Sequence, residues 1–535
     1  PGVWYPRDAG WTAPWTPSGD MAATNGLVAP TAVDTFSLLS QQLLSDPLTE
    51  EISSNNPRFV YKLDDPAGST AVTDSTGNNS AAQLAVSKYG AGSLTFGNAI
   101  TSTDATGTYT GSSGTVATIN NPNPGNNVTS AATFIKLTSA GISGPANPAS
   151  WTRMIAFRYT GPTIVAAAYL WSSMDNQRSG GSPSGSRIFV YLDSSGKPNV
   201  AISGPSGAGF TAYLAGGATN CVDGDWHLLL FGYNQATQQV MVSQDGTIVA
   251  YYGSVPTTLT PTGLLGDNLG GFVDITVGNG TDLNFKGDIS FAAEFPTFFG
   301  GSQITNMYGA WKSAAAGEST NARYARILRY AGYSGVTSIQ TGLTTSMGPA
   351  AIDGQDAMTA LQGVVDTENG AHYVDRAGVV TFKARSARYN ATVPMYTFGE
   401  NTAAGEYPYE DVQMDFDSTH LSNQVTVTQE STSQNFYATD ATSISNYFPR
   451  TLTRTINSSS ASECQDAAGY LLSRYKQAAM RVSSIKLHPS ANPTLWPVLL
   501  SLELGTRVRV MRRPPGLTPM QVDCFVENIQ VDTDD

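Results

Sequence analysis

The sequence predicts a β-rich multidomain protein in which a two-sheet sandwich precedes an α+β region. Three observations lead to this fold class. From about residue 56 to 311, short runs of β-branched and aromatic residues alternate with clusters of turn residues. The pair Asp245-Gly246 favours a tight hairpin between two such runs. Apolar residues at helical spacing dominate only after Tyr308. Regularly spaced strands of this kind indicate a sandwich rather than alternating strands and helices.

The N-terminal residues 1–55 are predicted to be an extended arm with one short helix. The first 30 residues are rich in Pro, Gly and Trp and have neither a period of 2 nor one of 3.6. The helix is expected within DTFSLLSQQLLSDPLTEEI.

The strands of the sandwich are expected in runs that share β-branched and aromatic residues. These runs are RFVYKL, SLTFG, TRMIAFRY, SRIFVYLD, PNVAISG, HLLLFGY, QQVMVS, FVDITVG and FKGDISFAAEF. Two hairpin turns are predicted between neighbouring runs, one over Asp193 to Gly196 and one at Asp245-Gly246.

The second region combines helices with hairpins. A helix is predicted in ESTNARYARILRYAGY, ending at Gly332, and another closes at Asn369-Gly370. A third follows Ser462, which has the S-x-x-Q spacing of a capping box with Gln465. The runs NQVTVTQ and TRVRVMRR are predicted strands.

The charge balance argues against nucleic acid as a specific partner. The chain has 535 residues, a net charge of −13 and 13% charged residues, against roughly 25% in ordinary soluble proteins. Such a chain repels phosphate backbones. The basic residues Arg507, Arg509, Arg512 and Arg513 fit a solvated strand face better than a phosphate patch. No apolar run reaches the ~18 residues of a membrane span.

Motifs of enzymes and metal sites are scarce. The three cysteines are far apart, so neither a disulfide framework nor a CxxC metal site is indicated. The sequence lacks G-x-S-x-G, H-E-x-x-H and P-loop motifs. His227 is expected to pack in the sheet rather than bind metal. In TDSTGNNS, Asp74 and Asn78 could bind calcium through hard oxygen ligands or form an Asx turn.

Residues 56–312 resemble the laminin-G-like, concanavalin-like jelly rolls. The resemblance is carried by SWTRMIAFRYTG, IFVYLDSSGKPNVAIS and DGDWHLLLFGYNQATQQVMVSQDGTIVA, in that order. It implies a jelly-roll domain that binds glycan, binds protein or is purely structural. In this family calcium comes from loop acids, and Asp74 lies on the matching loop. The later G-x-I-D pattern has Ser290 in place of the acid, which counts against the metal.

The rest of the chain is similar to minor tail or baseplate proteins of long-tailed phages of actinobacteria. The residues behind this similarity are DAMTALQGVVDTENGAHYVDRAGVVTFKAR, YEDVQMDFDSTHLSNQVTVT, RVRVMRRPPG and VDCFVENIQ. The similarity implies a small α+β hub segment over 313–390 and a β-barrel-like tail-hub domain with one helix over 391–535. It also implies a homotrimer at the tail tip of the virion, assembled in the host cytoplasm with other tail and baseplate proteins.

Together these resemblances predict a structural, non-enzymatic tail-tip protein whose peripheral jelly roll attaches to host cell-surface polysaccharide. Trp171, Tyr213 and Tyr251 are the candidate glycan-binding aromatics, with burial in the core as the alternative for each. Two other functions stay open. The jelly roll could carry a glycan-degrading enzyme with paired carboxylates, or it could be a structural decoration only.

Overall fold

A computed structural model describes most of the chain as two compact units. The described residues are 10–12, 17–18, 27–28, 32–78, 83–88, 92–100, 114–122, 132–137, 149–174, 187–203, 211–214, 216–253, 267–271, 284–417 and 419–532. The first unit, Asp46–Ala315, is called the jelly-roll unit. The second, called the α+β unit, combines Pro1–Ser45 with Ala316–Asp535. Residues 316–535, which cover the expected ranges 313–390 and 391–535 except for residues 313–315, thus belong to one compact unit.

The N-terminal segment contains two helices where one was expected. Its elements are β1 (Trp11–Thr12), β2 (Pro17–Ser18), β3 (Leu27–Val28), β4 (Ala32–Val33), α1 (Thr35–Leu39) and α2 (Pro47–Ser53). The chain breaks between the helices because Asp46 caps a new helix and Pro47 occupies its first turn. Helix α1 belongs to the α+β unit and α2 to the jelly-roll unit.

The jelly-roll unit is an antiparallel two-sheet sandwich, so the predicted fold class is confirmed. Its further elements are β5 (Phe59–Tyr61), β6 (Ala71–Val72), β7 (Gln83–Lys88), β8 (Ser93–Ala99), β9 (Thr115–Asn120), β10 (Ala132–Leu137), β11 (Trp151–Tyr159), β12 (Ala167–Met174), β13 (Arg187–Asp193), β14 (Pro198–Ser203), β15 (Thr211–Leu214), β16 (Trp226–Asn234), β17 (Gln239–Gln244), β18 (Thr247–Tyr252), β19 (Asp267–Leu269), β20 (Gly287–Phe295) and α3 (Gly301–Ser313). Sheet A has the order β18-β17-β16-β11-β20-β9-β8, with β5 paired to β20. Sheet B has the order β15-β14-β13-β12-β19-β10-β7-β6.

The core between the sheets contains a buried ion cluster as well as aromatic rings. Arg153 is 1% exposed and lies over the rings of Trp151 and Trp171, at 5.3 and 5.0 Å from their centroids. Its Nε donates to Glu294 at 2.7 Å, and Arg58 donates to the other oxygen of that carboxylate at 2.5 Å. A charge this deep is tolerable only when it is paired, so removing Glu294 would leave two buried cations.

Both predicted hairpin turns are confirmed. Asp245 and Gly246 have φ values of 50° and 78°, the pair of positive angles that a type I′ turn requires. Gly196 closes the other turn at φ 73°. These turns fix the register of β13 with β14 and of β17 with β18.

The α+β unit consists of small sheets, each with helices nearby in sequence. Its elements are α4 (Thr320–Tyr330), β21 (Thr337–Ile339), α5 (Ala357–Glu368), β22 (Ala371–Val374), β23 (Val380–Lys383), α6 (Arg385–Asn390), β24 (Tyr396–Phe398), β25 (Asp411–Asp417), β26 (Gln424–Gln429), β27 (Asn435–Thr439), α7 (Ala441–Tyr447), β28 (Thr451–Ile456), α8 (Ala461–Tyr475), β29 (Ala479–Lys486), α9 (Trp496–Ser501), β30 (Arg507–Arg512) and β31 (Met520–Phe525). These elements form the sheets β21-β23-β22, β24-β30-β31, β25-β29 and β27-β26-β28, and the N-terminal strands of the same unit form the two-stranded sheets β1-β4 and β2-β3.

The expectation of a β-barrel-like domain with one helix over 391–535 is wrong. The described strands of this range form three separate open sheets, and three α-helices occur. Helix α8 packs against β26 through Cys464, Ala467 and Leu471. The helix thus covers one face of the sheet β27-β26-β28. The helices α7 and α9 have seven and six residues, too few to show a helical period in the sequence.

In the described part of the chain, no helix is both long enough and apolar enough to span a membrane.

Candidate functional site

The two outer faces of the sandwich differ in what covers them. The outer face of sheet A packs against α2 and α3 in a buried cluster that contains Leu48, Ile52, Leu228, Leu230, Phe291, Ile304, Met307 and Trp311. The corresponding cluster on sheet B contains strand residues and, among the described residues, none from a helix. The outer face of sheet B is therefore the candidate ligand surface.

This surface has an aromatic centre, which we call the tyrosine face. It is formed by Ala167, Tyr169, Phe189, Tyr191, Asn199 and Ala201. Tyr169, Tyr191 and Asn199 are register partners on three neighbouring strands, so their side chains share one face of the sheet. The rings of Tyr169 and Tyr191 stack at 5.2 Å and 22°, and Phe189 meets Tyr169 edge-on at 5.5 Å. Tyr169 and Phe189 are buried, whereas Tyr191 is half-buried and reaches the surface.

Polar groups next to these rings are held by the turn between β13 and β14. Asp193 Oδ1 accepts hydrogen bonds from the backbone N–H groups of Ser195 (2.7 Å) and Lys197 (3.1 Å). Asp193 Oδ2 accepts from Asn199 Nδ2 at 2.9 Å, and the same nitrogen donates to the Lys197 carbonyl. Asn199 Oδ1 is buried and has no hydrogen-bond partner. Aromatic rings beside a few fixed polar atoms are typical of small-molecule sites.

The phenols of the tyrosine face are neutral at physiological pH. Burial raises the pKa of Tyr169, and the adjacent Tyr191 adds to the effect. Burial also raises the pKa of Tyr191, with a further contribution from the negative charge of Asp193. Neither hydroxyl ionises readily, so both remain able to donate hydrogen bonds.

The three predicted glycan-binding aromatics have different locations. Trp171 is 0% exposed and packs in the core between the sheets, so the prediction that it is a surface residue is wrong. The cause is a β-bulge between Tyr169 and Trp171, which turns both Leu170 and Trp171 inward. Tyr251 is 52% exposed on β18, the edge strand of sheet A. The backbone of Tyr213 pairs with Val200 on β15, while its side chain lies outside the described atoms.

Sequence reasoning missed Tyr169 and Tyr191. Strict alternation in AAYLWSSM would place Tyr169 and Trp171 on the same face, and the bulge breaks that alternation. The run RIFVYLD does carry a usable signal, because Phe189 and Tyr191 alternate with the buried Ile188, Val190 and Leu192.

In the loop that could bind calcium or form an Asx turn, the carboxylate of Asp74 accepts hydrogen bonds from the protein itself. Asp74 Oδ1 accepts from the backbone N–H groups of Val60 (2.9 Å) and Thr76 (3.1 Å), and Oδ2 accepts from the Thr76 hydroxyl at 2.8 Å. Asn78 Nδ2 donates to the Arg58 carbonyl. Both carboxylate oxygens are thus engaged in an Asx turn. The described residues contain no group of three or more His, Cys, Asp or Glu suited to a metal ion.

His227 is held between two carboxylates at one end of sheet A. Its Nδ1 donates to Asp245 Oδ2 at 2.8 Å and its Nε2 donates to Asp223 Oδ1 at 3.0 Å. Burial alone would lower the pKa of His227, but the hydrogen bond to Asp245 and the neighbouring Cys221 raise it to about 11. Burial raises the pKa of the Cys221 thiol.

The C-terminal basic run is fully paired within the α+β unit. Arg507 and Arg509 bind Asp523, at 2.9 and 2.7 Å. Each of the remaining two arginines also has a carboxylate partner, in the pairs Arg512–Glu400 and Arg513–Glu406. The four guanidiniums thus share three carboxylates, as expected of a solvated strand face rather than a phosphate patch.

Comparison with known proteins gives structural neighbours only. No family model and no curated protein matches the chain. Among solved structures, the CBM40 domain of the Ruminococcus gnavus IT-sialidase bound to α2,6 sialyllactose is 15% identical, with 31% of this chain and 85% of that chain covered and a TM-score of 0.25. Domain 4 of AbnA, a GH43 extracellular arabinanase from Geobacillus stearothermophilus in complex with arabinotriose, is 16% identical, with coverages of 47% and 98% and a TM-score of 0.30. The botulinum neurotoxin type G receptor-binding domain is 9% identical, with coverages of 49% and 55% and a TM-score of 0.30. These TM-scores are low, so the function of this chain has to be inferred from its own residues.

Proposed function

We propose that the chain is a structural, non-catalytic protein that attaches to cell-surface glycan through the tyrosine face. The observation that carries this proposal is the row Tyr169–Tyr191–Asn199 on the outer face of sheet B, beside the fixed carboxylate of Asp193. Aromatic rings pack on the apolar C–H faces of sugars, while carboxylate and amide oxygens accept hydrogen bonds from sugar hydroxyls.

Binding without cleavage is favoured by the lack of a second acid at this surface. Glycoside hydrolysis uses two carboxyl groups that flank the scissile bond. Asp193 is the one carboxylate among the described residues of the face and its adjoining turn, and its oxygens already accept three hydrogen bonds. Incubating the purified chain with a bound polysaccharide should therefore release no new reducing ends. Their appearance would support the alternative of a glycan-degrading enzyme.

The α+β unit is proposed to assemble as a homotrimer in a phage tail tip or baseplate, together with other tail proteins. This part rests on the sequence resemblance and on large apolar side chains exposed on the isolated chain. Phe416 is 66% exposed, Tyr437 62%, Phe448 80% and Trp496 47%. We take these four side chains as the candidates for contacts between subunits, because a contiguous exposed apolar surface marks protein contacts. Light scattering should give three times the chain mass, and a monomer at micromolar concentration would count against assembly.

Copies of the jelly roll on one particle would bind more tightly than a single copy. Joint engagement of linked sites raises apparent affinity by roughly 10²–10⁴ when the geometry allows it. Density for this chain at the tail tip of virions is the expected result of particle imaging. If deletion of residues 60–300 left infectivity intact and the chain bound no glycan, the jelly roll would be a structural decoration.

A further inference from the structure

The tyrosine face contains one polar atom that the fold leaves without a partner. Asn199 is 1% exposed, and its Nδ2 makes two hydrogen bonds, but its Oδ1 makes none. Buried polar atoms are almost always paired, because an unpaired acceptor costs about 1–3 kcal/mol. The fold therefore keeps an unpaired acceptor on the same side chain whose amide nitrogen holds Asp193 and the Lys197 carbonyl.

The neighbours of this atom show how a ligand could reach it. Tyr191 is the register partner of Asn199 on β13, and it is the half-buried aromatic of the row, next to the buried Asn199. Asp193 lies beside both residues, with its Oδ2 fixed by Asn199 Nδ2. A group that enters beside Tyr191 therefore meets two acceptors, an amide oxygen and a carboxylate oxygen.

We propose that Asn199 Oδ1 accepts a hydrogen bond from a sugar hydroxyl once the Tyr191 ring turns aside, and that this subsite selects a neutral sugar over one with a carboxylate at the same position. This inference rests on the proposed glycan-binding function and adds its ligand class. A hydroxyl can donate its one hydrogen bond to Asn199 Oδ1, whereas a carboxylate would place acceptor against acceptor and negative charge against Asp193.

The local electrostatics agree with this selection. Burial and the charge of Asp193 both disfavour a negative charge on the Tyr191 oxygen, and the same field acts on a ligand anion. The cation of the β13–β14 turn, Lys197, is exposed and uses its backbone groups to hold Asp193 and Asn199. It is the residue through which an acidic sugar could be recruited instead, so it needs its own variant.

The test is a glycan array that pairs neutral oligosaccharides with counterparts carrying a uronic or sialic acid, probed with the full chain. We expect binding to neutral members only. Tyr191→Ala should weaken it at least tenfold, while the control Tyr447→Ala, at an exposed tyrosine of the α+β unit, should leave it unchanged. Asp193→Asn retains an acceptor for the turn and removes the charge, so acidic counterparts should gain roughly tenfold in binding.

Each other outcome contradicts a defined part of the proposal. The ligand class would be wrong, although glycan binding would stand, if the wild type bound acidic glycans as tightly as neutral ones and Lys197→Ala lost the binding of the acidic ones. Neutral binding that Tyr191→Ala leaves intact in a chain with an unchanged melting temperature would overturn the site. If the chain bound no glycan on the array and no host polysaccharide, the proposed function itself would be wrong.

Discussion

Replacement of His227 by glutamine should change how the stability of the jelly-roll unit depends on pH. Although burial lowers it, the folded-state pKa of His227 is raised from 6.5 to about 11, because the imidazolium donates a hydrogen bond to Asp245 and lies next to Cys221. A raised pKa on a base adds stability that is fully present below pH 6.5 and is lost as pH rises toward 11. Within that window the loss is about 1.4 kcal/mol per pH unit, or roughly 3 kcal/mol between pH 6.5 and pH 9.

Urea unfolding followed by tryptophan fluorescence measures this effect. Trp151, Trp171, Trp226 and Trp311 are buried in the jelly-roll unit and report on its transition. The free energy of unfolding of wild type minus that of His227→Gln should be largest at pH 6.5 and should shrink by about 3 kcal/mol at pH 9. A difference that stays constant over this range would show that His227 is not protonated in the fold, and the bridging arrangement would be wrong.

Three further predictions concern other residues. His372 is half-buried, and partial burial lowers its pKa to about 4. The α+β unit should therefore lose about 3 kcal/mol of stability as pH falls from 6.5 toward 4, and urea unfolding of His372→Gln should lack this slope. Phe448 has φ 62° and ψ 165°, a region almost restricted to glycine. Phe448→Gly should therefore stabilise the monomeric chain by about 1 kcal/mol and raise its melting temperature. An unchanged or lower melting temperature would refute the strain. Asp74→Ala should lower the free energy of unfolding by about 1–3 kcal/mol, because it removes the acceptor of three hydrogen bonds. Calcium or a chelator should not shift the melting temperature of the wild type, and a calcium-dependent shift would show that the loop binds the metal.

The fold class could be predicted because local signals agree with the final structure. Asp245-Gly246 adopts the two positive φ values that its sequence suggests, Gly332 follows the end of α4 at φ 68°, and Asn369 ends α5 at φ 53°. The capping box was misplaced by two residues, since Ser460 rather than Ser462 accepts from Glu463 N. Several serines precede α8, and only the tertiary position of the helix decides which one caps it.

The sequence predicted the kind of candidate site but not the residues that form it. Aromatics on a jelly roll were expected, but the choice among them depended on a bulge in β12 that leaves no mark in the sequence. The buried cluster of Arg153 and Glu294 was equally hidden, because these residues lie on different strands and meet only across sheet A. The aromatic surface and the buried ion pair thus depend on how strands pair with one another, which local periodicity in the sequence does not show.

The most direct test of the account is the equilibrium binding of intact host polysaccharide by the wild-type chain and by Tyr191→Ala, measured side by side. We predict saturable binding by the wild type, weakened at least tenfold in the variant, with no shortening of the polysaccharide. Equal binding by both chains, or none by either, would contradict the assignment of the tyrosine face as the adhesive surface.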